Sequence, residues 1–335
     1  MAGAGSSGHW VVAAAFMAFR IEAVDPLTAA AAVSSILQSA WKPPCLNYSP
    51  AYLAWQLSFP GALQPKVVVA FEDDKEVGCA CVTQRSFIVD GTQTDAYVLS
   101  FVAVVPSAQG QGLATAIYAA LLKRISSEAP VIAFAEPGSS GEHVLINSFA
   151  TALFERRPLQ PCRAVGYLHR PSGNVGTDCY ATRTANYQDF NAMIPPDACG
   201  ILWNYPTLHQ FNHYALDPRR RTAIALKNAA GTPLGSGMIV DAEIISVQGM
   251  QTIPMLESMY LPTQSSAALR AAFSFAADDR QQTVTVMASN LSYLEPAVIK
   301  AAGARALPSS FNAYIFARSP GRFFSNVQFV NLEVI

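Results

Sequence analysis

The sequence has few charged residues and no excess of either sign. Asp, Glu, Lys and Arg make up 13% of its 335 residues, about half of the usual ~25%. With 22 basic and 23 acidic residues the net charge is −1, so no positively charged surface is indicated for nucleic acid or for an acidic membrane. We therefore expect neither as a partner. Apolar residues make up 51%, and a chain of this length suits two domains of ordinary size.

The sequence also lacks an apolar run of bilayer length and a basic leader. The apolar run at residues 10–19 is too short to cross a bilayer. No Lys or Arg precedes it, as a secretory signal would require. Residues 1–17 are predicted to be disordered or irregular. We therefore expect a cytoplasmic protein, present as a monomer or a homodimer.

Metal-binding motifs are missing as well. Cys79 and Cys81 lie two residues apart on a predicted strand, a spacing unlike the C-x-x-C of zinc and redox sites, and are interpreted as free thiols in a reducing compartment. His209 and His213 have the i, i+4 spacing of helix-borne ligands. No third ligand is evident near them, so we interpret them as a surface pair and expect no metal.

Two other groups of charged residues have no evident functional partner. The arginines at 219–221 follow Asp217-Pro218 and are interpreted as a solvated turn. Asp241 and Glu243 share one face of a predicted strand, and they stay unassigned.

The chain contains an internal repeat. Residues 47–56 and 204–213 both begin with Asn-Tyr, followed by a Pro at the start of an apolar-periodic helix. The predicted elements around the two segments recur in the same order. The sequence therefore predicts two α/β domains, residues 18–170 and 176–319, joined around the turn-rich residues 171–174. Residues 320–335 are predicted to form a C-terminal strand or tail.

The most informative segment runs from residue 98 to residue 125. An apolar strand ends at Val104-Val105-Pro106, and Gln109-Gly110-Gln111-Gly112-Leu113-Ala114 leads into a helix predicted over 112–125. The amides at a helix start have no partners within the helix and bind anions. Glycines there allow close approach and unusual backbone angles. A P-loop is excluded because no Lys-Ser/Thr follows the second glycine, and the three-glycine spacing of a dinucleotide fingerprint is absent.

This segment resembles the pyrophosphate loop of the GNAT acetyltransferase family, Gln/Arg-x-x-Gly-x-Gly/Ala after a strand that ends in Val-x-Pro. A second segment, Asn147-x-x-Ala150-x-x-Leu153-Phe154-Glu155, lies on a helix predicted over 142–155 and is similar to the family's Asn-x-x-Ala-x-x-Leu-Tyr-Glu. The resemblance covers about residues 18–170 and, more faintly, the second half. It implies an α/β (α+β) fold of two tandem GNAT-like domains, each a mixed, mostly antiparallel sheet flanked by helices.

The resemblance also implies a function and site residues. The chain would be an N-acyltransferase that passes the acyl group of acetyl-CoA, or of a related acyl-CoA, directly to a small-molecule amine. Val102, Ala103 and Val104 would bind the pantetheine arm through their backbone, and Asn147 would contact its amides. The pyrophosphate would be held by the backbone amides of Gln109, Gly110, Gln111, Gly112, Leu113 and Ala114.

The sequence departs from the family at both usual acid–base positions. Phe154 stands where the family has a tyrosine that protonates the leaving thiolate, and Val98 stands where many members have a carboxylate. Three explanations stay open. Coenzyme A thiolate is a tolerable leaving group, so loss of the acid costs only part of its usual contribution; another group substitutes for it; or the domain binds acyl-CoA without turning it over. Glu136, just past a strand predicted over 131–135, is the best replacement, ahead of Tyr97, Ser100 and His143.

The second half has lost the loop. When Pro262 is aligned with Pro106, Ser266 and Ala268 replace the two glycines and Arg270 replaces Ala114. We interpret this half as a degenerate copy that walls the acceptor pocket. An acyltransferase is therefore the leading hypothesis. A non-catalytic acyl-CoA sensor or scaffold is the alternative, and a purely structural interaction protein is a third class.

Overall fold

The computed structural model describes residues 19–126, 128–169, 178–191, 200–280, 285–318, 324 and 326–332. Residues 1–17 and the predicted link at 171–174 lie outside the described residues, as does part of the predicted tail. The described part of the tail contains a strand, Phe329–Asn331. Within the described ranges, no helix is both long and apolar enough to cross a membrane.

The described residues of the first half form eight strands and four α-helices. Their bounds are β1 (Arg20–Val24), α1 (Pro26–Ala40), β2 (Cys45–Leu46), α2 (Pro50–Leu57), β3 (Lys66–Glu72), β4 (Lys75–Val89), β5 (Thr92–Val104), α3 (Leu113–Leu122), β6 (Val131–Ala135), α4 (Ser140–Thr151), β7 (Glu155–Pro158) and β8 (Cys162–Leu168). Local sequence sets the helix starts. Asp25 and Ser49 cap α1 and α2 with their side chains, and a proline follows each cap.

The described residues of the second half repeat this order. Their bounds are β9 (Cys179–Arg183), α5 (Tyr187–Asn191), β10 (Ile201–Asn204), α6 (Leu208–Tyr214), β11 (Thr222–Asn228), β12 (Pro233–Ser246), β13 (Gly249–Tyr260), α7 (Ser266–Asp279), β14 (Thr285–Ala288), α8 (Pro296–Ala301), β15 (Ala304–Ala317) and β16 (Phe329–Asn331). Thr207 and Gln210 form a reciprocal capping box at the start of α6.

All sixteen described strands join one mixed sheet, whose main path is β1-β3-β4-β5-β6-β15-β8-β14-β13-β12-β11-β9. Most neighbours are antiparallel. The parallel pairs are β5 with β6, β13 with β14, and β10 with β16. Helices cover the sheet, which confirms the predicted fold class of a mixed, mostly antiparallel sheet flanked by helices.

The two halves exchange strands at the centre of the sheet. The first part of β15 pairs with β8, whereas its second part pairs with β6 and β7 of the first half. In return, β8 of the first half pairs with β14 of the second. Neither half therefore closes its sheet with its own strands, and each depends on the other for backbone hydrogen bonds.

Several element boundaries differ from the prediction. The helix predicted over 112–125 ends at Leu122, and the one predicted over 142–155 runs from Ser140 to Thr151. Leu153 has a φ of 63°, a left-handed conformation that ends a helix, so Phe154 and Glu155 lie outside α4. Strands β2, β7 and β10 were not predicted. They are short, and each pairs with a strand distant in sequence.

Helices pack on both faces of the first-half sheet. On one face, a Cβ added at Gly78 would lie within 3.4 Å of two side chains, those of Val104 on β5 and Ile117 on α3. Phe101 points to the other face, where its ring lies 5.2 Å from the ring of Tyr48 between α1 and α2. Tyr48 and Phe101 are 6% and 0% exposed. Burial of such side chains contributes about 1.5–3 kcal/mol each.

The arginines at 219–221 do not form the solvated turn that we expected. Arg221 and Asp217 have side chains that are 1% and 0% exposed and lie 2.9 Å apart, and Arg221 also lies 2.8 Å from Glu257. Arg219 stacks over the ring of Tyr52 from the first half, at 3.8 Å. Sequence spacing alone could not indicate this arrangement, because Glu257 and the ring of Tyr52 lie on segments distant in sequence from these arginines.

Asp241 and Glu243 also have partners. Asp241 forms an ion pair with Arg280 at 2.6 Å. Glu243 accepts a hydrogen bond from Asn47 at 2.7 Å, beside the short pairing of β2 with β12. Both carboxylates therefore have structural roles, and the second one ties the α1–α2 connection to the second half.

Candidate functional site

Strands β5 and β6 are paired over only part of their length. Tyr97, Val98 and Leu99 lie opposite Val131, Ile132 and Ala133 in parallel register. Beyond Leu99, β5 continues for five residues with β4 as its only described neighbour, and β6 continues beside β15. The two central strands therefore diverge and leave an open edge along the second half of β5.

A β-bulge lies where the strands part. Val82 of β4 is opposite Leu99 and Cys81 is opposite Phe101, so Ser100 is the extra residue. Because the bulge shifts the side-chain alternation, Leu99 and Phe101 point to opposite faces. The Ser100 hydroxyl donates to the carbonyl of Val98 at 3.2 Å.

The open edge of β5 presents backbone groups of two residues predicted to bind pantetheine. The amide of Val105 donates a hydrogen bond to the carbonyl of Val77 in β4. Along an antiparallel strand, the backbone groups of successive residues point alternately toward and away from the neighbouring strand. Val102 and Val104 therefore turn their backbone groups away from β4, whereas Ala103 turns its groups toward Cys79. The Gln109 side chain donates to the carbonyl of Val104 at 2.9 Å and fixes the start of the following loop.

The loop between β5 and α3 leaves a row of amides without acceptors. Pro106–Ala108 forms a single helical turn, and Gly110 and Gly112 then take φ values of 76° and 75°, which favour glycine. A Cβ on either glycine would meet nothing within 4 Å. Among the described residues, no group accepts a hydrogen bond from the amides of residues 110–114. No side chain caps α3 at Gly112.

The flanking loop residues support this geometry without filling it. Leu113 is 2% exposed and anchors the helix start in the core. Gln109 and Gln111 are exposed, and Ala114 is half-buried. The five amides can therefore hold a multiply charged anion, and the protein's own atoms do not block the approach.

A groove of about 370 Å³ continues from this loop between α3 and α4, at the lower end of the roughly 300–1,000 Å³ typical of small-molecule sites. We call it the α3–α4 groove. Asn147 lies in its wall and is exposed. The residues that line the groove are Thr115, Ala119, Leu122, Lys123, Asn147, Ser148, Thr151, Ala152 and Arg318.

Comparison with known proteins agrees with this geometry. Residues 42–142 match the model of the acetyltransferase (GNAT) domain. The matched residues include β5, the loop, α3 and β6. Solved structures of GNAT proteins share the fold over both halves, including a tandem GNAT protein from the clavulanic acid biosynthesis pathway. That protein is 11% identical, with a TM-score of 0.57 over 91% of this chain and 100% of its own. The chain has a tandem GNAT fold.

Two other solved structures resemble this tandem GNAT fold. A GCN5-related N-acetyltransferase from Anabaena variabilis is 14% identical, with a TM-score of 0.55 over 88% of this chain and 72% of its own. N-myristoyltransferase from Saccharomyces cerevisiae, solved with bound myristoyl-CoA, is 12% identical, with a TM-score of 0.60 over 89% of this chain and 82% of its own. A comparison with curated protein sequences found no match.

The predicted replacement for the missing acid lies at the surface of the GNAT fold. Glu136 follows β6 and is exposed. Its carbonyl accepts a hydrogen bond from the amide of Ser139 at 3.2 Å. Its carboxylate forms no hydrogen bond or ion pair within the described part of the chain. No neighbouring group therefore aims this carboxylate at the open edge of β5.

A different carboxylate, that of Glu142, is held firmly at the start of α4. It accepts hydrogen bonds from the Tyr314 hydroxyl at 2.5 Å, the Asn312 amide group at 2.6 Å and the backbone of Gly138 at 2.7 Å. These bonds, the one from Tyr314 first, lower the pKa of Glu142. The Ser139-x-x-Glu142 pattern signals a helix start, but Tyr314 and Asn312 arrive on β15 and could not be found from local sequence.

Phe154 is part of an aromatic cluster. Its ring lies 5.3 Å from that of Phe149, which stacks on Phe316 at 4.1 Å. The guanidinium of Arg318 lies 5.0 Å from the centre of the Phe154 ring. Val98, at the other departure from the family pattern, is 0% exposed in an apolar core. Neither position can donate or accept a proton.

The corresponding region of the second half is filled by its own side chains. Ser258 occupies a bulge in β13 and lies four residues before Pro262, whereas Ser100 lies six before Pro106. The carbonyl of Met259 accepts hydrogen bonds from Tyr293 and Asn331. The hydroxyl of Ser265 accepts from Ala268 and caps α7, so a side chain occupies the helix end that is open in the first half.

The two histidines predicted to form a surface pair differ in their surroundings. His213 stacks on Trp55 with ring planes 9° apart, while His209 is exposed. Across the described residues, no group of three or more His, Cys, Asp and Glu side chains could hold a metal ion.

Proposed function

We propose that the protein is an acyl-CoA-dependent N-acyltransferase that uses acetyl-CoA and transfers its acyl group directly to a small amine. One observation carries the proposal: the acceptor-free amides of residues 110–114 lie at the end of a strand whose outer edge is open. A diphosphate satisfies the amides, and an extended chain of amides, such as pantetheine, satisfies the strand edge. The match of residues 42–142 to a GNAT domain supports the same assignment.

Each part of the cofactor has a place in this proposal. The amides from Gly110 to Ala114 hold the pyrophosphate, whereas the Gln109 amide donates to the Pro106 carbonyl at 3.4 Å. The outward backbone groups of Val102 and Val104 bind pantetheine. Asn147 contacts the arm from α4. The thioester then lies near the bulge at Ser100, where a strand amide can polarise its carbonyl.

The reaction needs little acid–base chemistry. A neutral amine attacks the thioester carbon, the C–N bond forms and the C–S bond breaks. Coenzyme A departs as thiolate, and the amine proton passes to Glu136 or to solvent water. We propose that positioning supplies most of the rate. Glu136 remains our proposed acid or base, although nothing aims it, and its substitution tests whether such a group is needed.

We further propose that the second half is a degenerate copy that no longer binds acyl-CoA. Three features support this proposal: fewer residues separate the bulge at Ser258 from Pro262, side chains hydrogen-bond the carbonyl of Met259, and Ser265 caps α7. Its role is to complete the first half with β15 and to cover the α1–α2 connection through the β2–β12 pairing. Such cover favours an enclosed site for a small amine over nucleic acid or a membrane, and we place the protein in the cytoplasm.

The alternative function is acyl-CoA binding without turnover. Phe154 and Val98 favour it, because both usual acid–base positions are apolar. A single-turnover experiment separates the two functions: stoichiometric protein and acetyl-CoA are mixed with a panel of small amines, and free thiol is followed. We expect thiol release only when a suitable amine is present. Bound acetyl-CoA that no amine discharges would support the sensor or scaffold.

A further inference from the structure

The leaving sulfur of the proposed reaction still lacks a hydrogen-bond donor. Phe154 and Val98 cannot supply one, and Glu136 is exposed. A thiolate that forms in an apolar cleft is stabilised by a donor that is already in place. A side chain with this role has to lie beside the bulge at Ser100, carry a proton at neutral pH and have no partner within the protein.

Tyr118 lies on the side of α3 that faces the cleft. It shares a helix face with Thr115 and Leu122, which line the α3–α4 groove. Because Tyr118 is only 5% exposed, it lies beneath the groove, between the helix and the sheet. The preceding residue, Ile117, packs beside Val104 at the end of β5. Tyr118 therefore lies next to the open edge of this strand.

The contacts of its ring place Tyr118 beside the bulge. The ring lies 6.3 Å from that of Phe149 on α4, in an edge-to-face arrangement, and Phe149 stacks on Phe316. Phe316 is level with Tyr97, because both are paired with the first residue of β6. Since Ser100 lies between Tyr97 and the end of β5, the ring is bracketed at the level of the bulge.

The Tyr118 hydroxyl is available to a ligand. Among the described residues it has no hydrogen-bond partner, and burial is the one cause that raises the pKa of Tyr118. Buried hydroxyls nearly always have a partner. The oxygen is not sealed from solvent as that of Ser148 is, so it borders a space. The raised pKa keeps the phenol protonated at neutral pH.

Other polar side chains near the cleft do not meet these requirements. The Ser100 hydroxyl donates to a backbone carbonyl, and the Tyr314 hydroxyl donates to Glu142. The Ser148 hydroxyl has no partner among the described residues, but it is shut off from solvent, so a ligand in the cleft does not reach it. Tyr118 is the better donor on position, protonation and freedom from partners.

We propose that Tyr118 is a catalytic residue that stabilises the leaving group by donating a hydrogen bond from its hydroxyl to the sulfur of coenzyme A. The inference rests on the proposed function. As the amine attacks and the C–S bond breaks, the bonding electron pair moves onto sulfur, where the O–H group meets the growing negative charge. The phenol keeps its proton because a thiol is the stronger acid, so coenzyme A departs as thiolate and Tyr118 is unchanged after the step.

The thiol of bound coenzyme A reports this hydrogen bond without any amine substrate. A donor that stabilises the thiolate lowers the pH at which the thiol ionises. The ultraviolet absorbance of the thiolate follows this ionisation on the full chain saturated with coenzyme A. Tyr118→Phe keeps the ring and removes only the hydroxyl, so ionisation should need a pH about 1–2 units higher than in the wild type.

Turnover gives a second measurement of the same bond. Because the bond forms as charge develops on sulfur, Tyr118→Phe should lower kcat by roughly 10–150-fold and leave KM for acetyl-CoA unchanged. Affinity for desulfo-coenzyme A, which has no sulfur, should be equal in the variant and the wild type by isothermal titration calorimetry.

A matched tyrosine in the second half provides the control. Tyr293 is 6% exposed, and its hydroxyl donates to the carbonyl of Met259. Tyr293→Phe removes a hydroxyl of similar burial outside the cleft and should leave the ionisation of the bound thiol as it is in the wild type.

The outcomes separate this inference from the proposed function. Equal ionisation of the bound thiol in wild type and Tyr118→Phe, or the same change in Tyr293→Phe, would overturn the role of Tyr118 while leaving acyl-CoA binding intact. Failure of the wild type to bind coenzyme A would overturn the proposed function together with the inference.

Discussion

Trp55 and His213 bind each other reciprocally across the two halves. The Trp55 indole donates to the His213 carbonyl at 2.9 Å, and the His213 Nε2 lies 3.0 Å from the Trp55 carbonyl oxygen. The rings stack with centres 5.3 Å apart. Trp55 lies on α2 and His213 on α6, the two helices of the internal repeat, so equivalent elements of the two halves form part of their own interface.

This contact predicts a pH-dependent stability. Burial, the larger cause, lowers the pKa of His213, while the contact with the Trp55 carbonyl opposes the shift. In the unfolded state the His213 imidazole has an ordinary pKa of about 6.5. Just below that pH, the imidazole binds a proton in the unfolded state and stays neutral in the folded state. Stability is therefore fully present above this value and declines as the pH falls below it toward the folded pKa. Urea midpoints at pH 7.5 and pH 5.5 measure the loss.

The two histidines of α6 provide the comparison for this prediction. His213→Gln should reduce the loss of stability between the two pH values. His209→Gln alters the exposed neighbour on the same helix, whose charge lowers the His213 pKa by less than burial does, so its curve should stay much nearer to that of the wild type. Equal pH dependence of His213→Gln and wild type would show that the decline has another source.

The open helix end predicts that a side chain at Gly112 abolishes acyl-CoA binding. Gly112→Glu places a carboxylate where the diphosphate is expected, so affinity for coenzyme A should fall at least about tenfold by calorimetry. A non-glycine residue at this positive φ also costs stability, about 1–2 kcal/mol. Gly231→Glu is the control, because Gly231 has a φ of 81° in the second half. It should cost similar stability and leave binding unchanged; similar affinity of both variants would remove the loop from the site.

The hydrogen bonds to Glu142 predict an acid-sensitive contribution from Tyr314. Tyr314→Phe should cost about 1.5–3 kcal/mol of unfolding free energy at pH 7, because the charged carboxylate loses a donor. The lowered pKa of Glu142 means that this stabilisation is present above the unfolded value of about 4.3 and is lost as the pH falls through the folded value. Chemical denaturation at pH 7 and pH 3 checks both points.

A matched tyrosine separates this bond from a general effect of removing a hydroxyl. Tyr180 is 39% exposed, and Tyr180→Phe should change stability by less than about 0.5 kcal/mol at either pH. A cost of Tyr314→Phe that persists undiminished at pH 3 would contradict a role for the ionised carboxylate.

The sequence was a good guide to local structure and a poor one to long-range pairing. Strand Val131–Ala135 matches its predicted bounds, because apolar residues and flanking turn residues mark it. The exchange of β8 and β15 could not be predicted, since no local signal says which of two similar edges a strand joins.

The same limit applied to the site. The loop from Gln109 to Ala114 was found because its glycines and helix start lie together in sequence. Glu142 with Tyr314 was missed because the two residues lie in different halves of the chain.

The buried ion pair of Arg221 and Glu257 permits the most direct test of the interface. The side chains are 1% and 2% exposed, and the Arg221 guanidinium lies 5.4 Å from the ring centre of Trp55 in the first half. Glu257→Gln should cost about 3–5 kcal/mol in urea denaturation, because it leaves a buried guanidinium with less compensation. Arg221→Met alone should cost a similar amount. The double variant, Arg221→Met with Glu257→Leu, replaces both charges by apolar groups and should be more stable than the Arg221→Met single variant. Glu257→Leu alone completes the cycle, and costs of Arg221→Met and Glu257→Leu that add up in the double variant would contradict an interaction between the two charges.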